Sequence, residues 1–275
     1  MIKGIDVSTW QGKIDWEKVK AAGVRFAIIR AGFGVNNVDN QFHRNMSECN
    51  QLGIPCGVYW FSYALNEAEA VREADFCLAA VKPYRVDYPI FYDFEYDSTR
   101  YAKSKGVEVT RDFVTRLARS FCNRVKSAGY IAGVYTNQDY SRHMIDLSRL
   151  KEFELWYAWY SDKINRDDAA IWQFSSQGRV DGIAGNVDLD YCFKTFPPVK
   201  EEPDPAAETG SKPETEPETG TNPVPDNTPD PYGRVAVEKA VGRGILRGND
   251  AGDLMLHSPV SRQDLCVILD RLGLL

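Results

Sequence analysis

Apolar and polar residues alternate along this chain as short hydrophobic runs separated by longer amphipathic stretches. Residues 4–8 form a short β-prone run. Over 15–22, Trp16, Val19 and Ala22 recur at helical spacing before Gly23 ends the segment. Residues 26–33 are almost continuously apolar apart from Arg30, which fits a strand covered on both faces. A loop rich in Gly and Asn leads to an expected helix over 40–52. A strand over 55–64 then carries Tyr59, Trp60, Phe61 and Tyr63, and Asn66 is a fitting N-cap for a helix reaching Val81. The pattern continues with a strand over 89–97, a helix from Thr110 to about Ala128, a strand over 130–137 and a helical or irregular stretch over 139–151. Three further strands, over 155–160, 169–176 and 186–193, follow with gaps too short for full crossover helices.

Eight strands, the first five separated by helices, predict an α/β fold with a parallel sheet. That number suggests closure into a TIM-like barrel whose helices thin out in its last third. Such barrels carry their active sites at the C-terminal ends of the strands. The residues expected there are Asp6, Arg30, Tyr63, Asp93, Glu95, Tyr135, Trp159, Gln173 and Asp188. Asp93 and Glu95 lie two apart in one expected strand, so they share a face and raise each other's pKa. Two carboxyl groups that hold different protonation states are the minimum equipment for cleaving a glycosidic bond. Acids from three separate strands do not read as one solvated loop. Asp97, past the strand end, reads as a solvated or loop-capping acid. Trp10, Tyr59, Trp60, Trp156 and Trp172 lie in or beside the same strand ends, where aromatic rings suit both core packing and sugar stacking. Arg30 is read either as a pocket residue or as the partner of a barrel acid.

Composition narrows the function. The 275 residues carry a net charge of −6. Nine acidic residues against Lys200 and Lys212 over 199–231 account for that excess, so the remainder is near neutral. A basic stripe that would favour nucleic acid is missing, and no run is long enough to span a membrane. His43, His143 and His257 have no metal-ligand spacing. The six cysteines, at 49, 56, 77, 122, 192 and 266, include no Cys-x-x-Cys pair and read as buried thiols; a Cys49–Cys56 pairing is open, but nothing requires it. No metal or other cofactor is called for, and no Ser-His-Asp or Cys-His set stands out.

Gly4-Ile-Asp-Val-Ser-Thr-Trp-Gln-Gly12 with Ile14-Asp15-Trp16, then Asp93-Phe94-Glu95, Trp172-Gln173-Phe174 and Val187-Asp188-Leu189, in that order, resemble the lysozymes of glycoside hydrolase family 25. The resemblance covers roughly residues 1–196. It implies a (β/α)5(β)3 barrel and hydrolysis of the β-1,4 bond between N-acetylmuramic acid and N-acetylglucosamine in bacterial peptidoglycan. Carried over residue by residue, it makes Glu95 the general acid and Asp93 its carboxylate partner, which either stabilises developing positive charge or orients the substrate's 2-acetamido group. Asp6 and Asp188 are the other pocket acids. Tyr63, Tyr135, Trp159 and Gln173 are expected sugar contacts. The competing reading is a non-catalytic glycan-binding barrel, which would lack one of these acids. The longer acidic strand motif of family 18 chitinases is absent, and an amidase or peptidase would need the missing histidine-rich sets.

Residues 197–232 hold ten of the fourteen prolines and almost no large apolar side chain, which predicts an extended acidic linker. Over 233–275 the pattern suggests helix–loop–helix. Gly244-Ile-Leu-Arg-Gly248 and Pro259-Val-Ser-Arg-Gln-Asp264 resemble one surface-layer-homology repeat, where that family typically uses three. The expected partner of this module is a wall polymer or another copy of the chain. The N-terminus enters a strand at once, without the features of an export signal. Together with a wall-directed activity, this predicts an endolysin of phage or prophage origin released through a holin pore, or a secreted autolysin with its signal trimmed.

Overall fold

The computed structural model describes residues 1–196 and the helical pair Ala240–Val241. The chain divides into two units, Met1–Asp204 and Pro205–Leu275. The expected linker over 197–232 and the module over 233–275, with its surface-layer-homology resemblance, fall outside the described residues apart from Ala240 and Val241.

The first unit is an eight-stranded closed barrel wrapped by helices. Its elements run β1 (Ile2–Val7), α1 (Trp16–Ala21), β2 (Phe26–Phe33), β3 (Asn37–Val38), α2 (Phe42–Leu52), β4 (Cys56–Phe61), α3 (Glu67–Val81), β5 (Ile90–Asp93), α4 (Tyr96–Ser104), α5 (Arg111–Ser127), β6 (Ala132–Asn137), α6 (Gln138–His143), β7 (Glu154–Ala158), β8 (Ile171–Gly178) and β9 (Val187–Cys192). The sheet order is β1-β9-β8-β7-β6-β5-β4-β2, and pairing of β1 with β2 closes the ring. The two-residue β3 hangs on β2 as an antiparallel hairpin arm outside that ring.

Several helix starts follow directly from the sequence. Asn66, Thr110 and Asn137 each accept a backbone N–H in the first turn, from Glu69, Phe113 and Tyr140. A side chain that satisfies one of these otherwise orphaned donors contributes about 1 kcal/mol.

Period-two alternation sorts the strand residues into two layers. Ile5, Val7, Ala27, Ile29, Val58, Trp60, Ile90, Tyr92 and Val134 face outward and pack with the helices. Phe26, Ile28, Phe91, Tyr135, Trp156, Ile171 and Cys192 fill the barrel interior. Both layers are apolar, which is why β2 reads as an unbroken hydrophobic run. Close approach of the strands needs small residues in the interior: a Cβ on Gly4 would lie 2.3 Å from the Phe26 ring, and one on Gly133 would lie 2.4 Å from the Phe91 ring.

Three features depart from the sequence expectation. The strand expected over 89–97 stops at Asp93, and a helix not anticipated, α4, begins at Tyr96. That helix buries only Ser98 and Ala102, so it has no large apolar stripe to give a helical period. The arm β3 is too short and too exposed to register as a strand. Finally, β9 runs antiparallel to both β8 and β1, whereas the other strands of the ring pair in parallel. Its hairpin connection to β8 is shorter than a parallel return allows. Cys49, Cys56, Cys77, Cys122 and Cys192 are buried free thiols, so Cys49 and Cys56 are not bridged.

Candidate active site

The inward residues at one end of the barrel are polar. On β1 the inward positions are Ile2, Gly4 and, at the polar end, Asp6, which is 6% exposed. Asp6 pairs in register with Asp188 of β9. A parallel β9 would have carried Asp188 to the opposite end of the barrel; the reversed strand puts its first residues beside the last residues of β1. Asp93 ends β5 and is 3% exposed, flanked in register by Phe61 of β4 and Tyr135 of β6. Asp6, Asp93 and Asp188 thus come from three strands to one end of the ring.

Glu95 is held differently from the sequence expectation. It is the N-cap residue of α4, in extended conformation, and its backbone N–H donates to Ser98 Oγ at 3.1 Å. Strand pairing therefore fixes Asp93, and the start of a helix fixes Glu95. Asp97 lies in the first turn of α4 and pairs with Arg100.

The electrostatics follow from burial among like charges. Burial pushes Glu95 up to about 7, with Asp188 adding to the rise. Asp93 is raised well above the usual carboxylate range by burial and then by Glu95, against an opposing pull from Arg30. Asp188 is pushed up to about 6, mainly by burial. Asp6 is raised by burial, Asp188 and Asp190 together. Crowding by Asp93 is thus not what lifts Glu95: desolvation leads and Asp188 follows. Arg30 is committed elsewhere, donating from Nε to Asp39 Oδ2 at 2.8 Å, while Asp39 also takes the Thr9 and Gln41 backbone N–H groups. It is the partner of an acid, but of a loop acid rather than one of the barrel strands.

One oxygen stands out. Asp93 Oδ1 is buried and has no donor among the described residues. A buried acceptor without a donor is costly and rare.

Gln173 of β8 organises the opposite wall. Its Nε2–H donates to Asp6 Oδ2 at 2.8 Å, and its Oε1 accepts the Tyr135 and Tyr160 hydroxyls at 3.0 and 3.2 Å. Tyr160 is 57% exposed, so this chain of bonds runs from the buried pit to its rim. Of the other expected sugar contacts, Trp159 turns away: its indole packs with the outer cluster around Leu155 and Tyr157, and its Nε1–H donates to the Lys163 carbonyl. Tyr63 sits two residues beyond β4, edge-on to Tyr101, and lines a side cavity of about 360 Å³ with Phe33, Val35 and Tyr101. Trp60, Trp156 and Trp172 are buried, whereas Trp10 is 83% exposed.

The pit also contains residues that the sequence pattern does not single out. Tyr160 follows Trp159 directly, and nothing in the pattern says which of the two turns inward. Asp190, fully buried on β9, continues the period-two row begun by Asp188, and that same spacing rule is the signal by which it is found. Among the described residues, no group of three or more His, Cys, Asp or Glu side chains is arranged to hold a metal ion, and no helix is long and apolar enough to cross a membrane.

Comparison with known proteins bears on the family and the fold. A family model described as glycosyl hydrolases family 25 matches residues 5–183. The uncharacterized protein YegX of Escherichia coli O157:H7 is 30% identical over 209 residues, covering 73% of this chain and 71% of that one. An autolytic lysozyme of Clostridium acetobutylicum is 27% identical over 191 residues, covering 69% of this chain and 55% of that one. The modular autolysin LytC of Streptococcus pneumoniae, solved with a synthetic peptidoglycan ligand, superposes with a TM-score of 0.61 at 29% identity, covering 69% of this chain. This chain spans 46% of that autolysin's length.

Proposed function

Because this chain belongs to glycosyl hydrolase family 25, we propose that it hydrolyses peptidoglycan as a lysozyme, at the β-1,4 bond between N-acetylmuramic acid and N-acetylglucosamine. The observation that carries this reading is the pairing of Glu95, poised near neutrality at about 7, with Asp93, whose buried Oδ1 has no donor among the described residues. A general acid works best when its pKa lies near the working pH. Glu95 donates its proton to the glycosidic oxygen as the C1–O bond breaks. Asp93 Oδ1 accepts the N–H of the substrate's 2-acetamido group. That bond turns the acetamido oxygen toward C1, where it forms a new C–O bond as the leaving sugar departs. The Glu95 carboxylate then takes a proton from the water that reopens this intermediate, which restores the acid. Asp6 and Asp188 supply the negative field that favours positive charge at C1, and Tyr135, Tyr160 and Gln173 offer polar contacts to sugar hydroxyls. Two features support the wall as substrate: the peptidoglycan ligand bound to the pneumococcal autolysin and the lysozyme name of the clostridial relative.

The test is Glu95→Gln on purified bacterial cell walls, read as reducing N-acetylmuramic acid released. Loss of a general acid should lower kcat by about 100-fold or more; near-normal lysis would sink the assignment. Proton NMR of the first-formed anomer separates the acetamido route, which retains configuration, from direct attack by water, which inverts it. The enzyme acts at the cell wall in this reading, as an endolysin or a secreted autolysin, and residues 233–275 bind a wall polymer or a second copy of the chain.

A further inference from the structure

The inward face of β9 places Asp190 one layer deeper in the barrel than Asp188, opposite Gly4 of β1 and Gln173 of β8. It is completely buried. Its Oδ1 accepts the Trp156 indole N–H at 2.8 Å. Its Oδ2 is buried and has no hydrogen-bond donor among the described residues. The Asp190 carboxyl group is also in hydrogen-bond contact with the carboxyl group of Asp6. Two ionised carboxylates have only acceptors to offer each other; a hydrogen bond between them requires that one be the acid.

We propose that Asp190 is a positioning residue, holding Asp6 in place through one proton that the two carboxyl groups share. The surroundings favour a single shared proton. Among the described residues, the other titratable groups that act on the pair are neutral or negative: Asp188 and Cys192 on β9, Tyr59 on β4, Tyr135 on β6 and Tyr160 beyond β7. Arg30 is bound to Asp39. Burial pushes Asp190 up to about 8 and raises Asp6 as well, so the pair keeps its proton through neutral pH. The pair then carries one negative charge beneath Asp188 instead of two. Asp6 in turn fixes the Gln173 amide, and Gln173 fixes the Tyr135 and Tyr160 hydroxyls. Asp190 thus acts on the pit through Asp6 and a relay that ends at the exposed rim.

The effect on catalysis rests on the hydrolase reading above; the shared proton does not, and the two are measured separately. In protein labelled with ¹³C at the Asp side-chain carboxyl carbons, the Asp6 and Asp190 signals should titrate together, with one step above neutrality. In Asp190→Asn, whose amide can still donate to Asp6 and accept from Trp156, that step should vanish and Asp6 should be ionised at pH 7. Finding both carboxyls ionised at pH 7 in the unaltered protein would overturn the shared proton, as would an unchanged Asp6 titration in Asp190→Asn. On cell walls, Asp190→Ala, which removes both hydrogen bonds, should lower kcat/KM at least about tenfold, with part of the loss seen as a raised KM because the relay ends at sugar-contacting side chains, and Asp190→Asn should recover most of that loss. Equal activity of Asp190→Ala and the unaltered enzyme would overturn the positioning role. Should the alanine variant fail to fold, a tenfold loss in Asp190→Asn at pH 6, where the Asn side chain preserves both bonds, would overturn it instead. If the unaltered protein does not release N-acetylmuramic acid, the hydrolase reading fails while the NMR titration still decides the shared proton.

Discussion

At the scale of single residues, the pit works by desolvation. Glu95 and Asp188 both gain their raised pKa values chiefly from burial, and Asp188 then adds to Glu95 as a like charge. The sign of the pH dependence follows. A general acid must be protonated, so kcat/KM on cell walls should fall as pH rises past about 7. Replacing Asp188 by Asn removes a negative neighbour, makes Glu95 a stronger acid, and should move that alkaline limb to lower pH. The move should be smaller than the whole shift, because burial remains. A limb that stays in place in Asp188→Asn would mean that Asp188 does not act on Glu95. Four of the pit's five acids, Asp6, Asp93, Glu95 and Asp188, are legible in the sequence because charged residues at the ends of apolar strands have no packing reason to be there. Asp190 is harder to see, since its partner Asp6 lies far away in sequence. The choice between Trp159 and Tyr160 is not legible, because it depends on how the chain turns at the end of β7.

At the scale of elements, the helix α4 changes how the site is held. Its first turn, not a strand ladder, fixes the Glu95 backbone through Ser98. Ser98 is fully buried, so no solvent replaces its hydroxyl if it is removed. Ser98→Ala should lower stability by about 1 kcal/mol and lower kcat several-fold while leaving KM nearly unchanged, because the proton donor rather than the sugar-binding wall is disturbed. Denaturant midpoints and steady-state rates check both parts; an undisturbed kcat would remove Ser98 from the supports of Glu95. This element escapes a reading of hydrophobic period because its buried face consists of Ser98 and Ala102. By contrast α3 and α5, two of the helices legible in the sequence, have both a capping side chain and a row of buried residues. The direction of β9 was not legible from its own residues, because alternation reads the same in either direction along a strand.

At the scale of the whole barrel, closure depends on interior volume. Gly4 stands beside Phe26 where β1 meets β2, and a methyl group there would overlap the ring. Gly4→Ala should cost about 1–3 kcal/mol by overpacking, seen as a lower midpoint in chemical denaturation; an unchanged midpoint would show that Phe26 has somewhere else to go. The closed α/β ring itself was legible, because counting strands and the helices between them needs no knowledge of direction or side-chain rotamer. Its seam has one more consequence. β1 and β9 are the first and last strands of the ring, and the pit takes Asp6 from one and Asp188 from the other. During synthesis the chain can make Asp93 and Glu95 long before it makes Asp188, yet the acids meet only when the final strand slides in beside the first. A ribosome-bound or prematurely terminated product that stops short of residue 187 carries an open edge where the last strand belongs and an unfinished set of acids. The last strand is therefore also a completion check: on the reading proposed above, the set of acids is finished only when the whole barrel has been made.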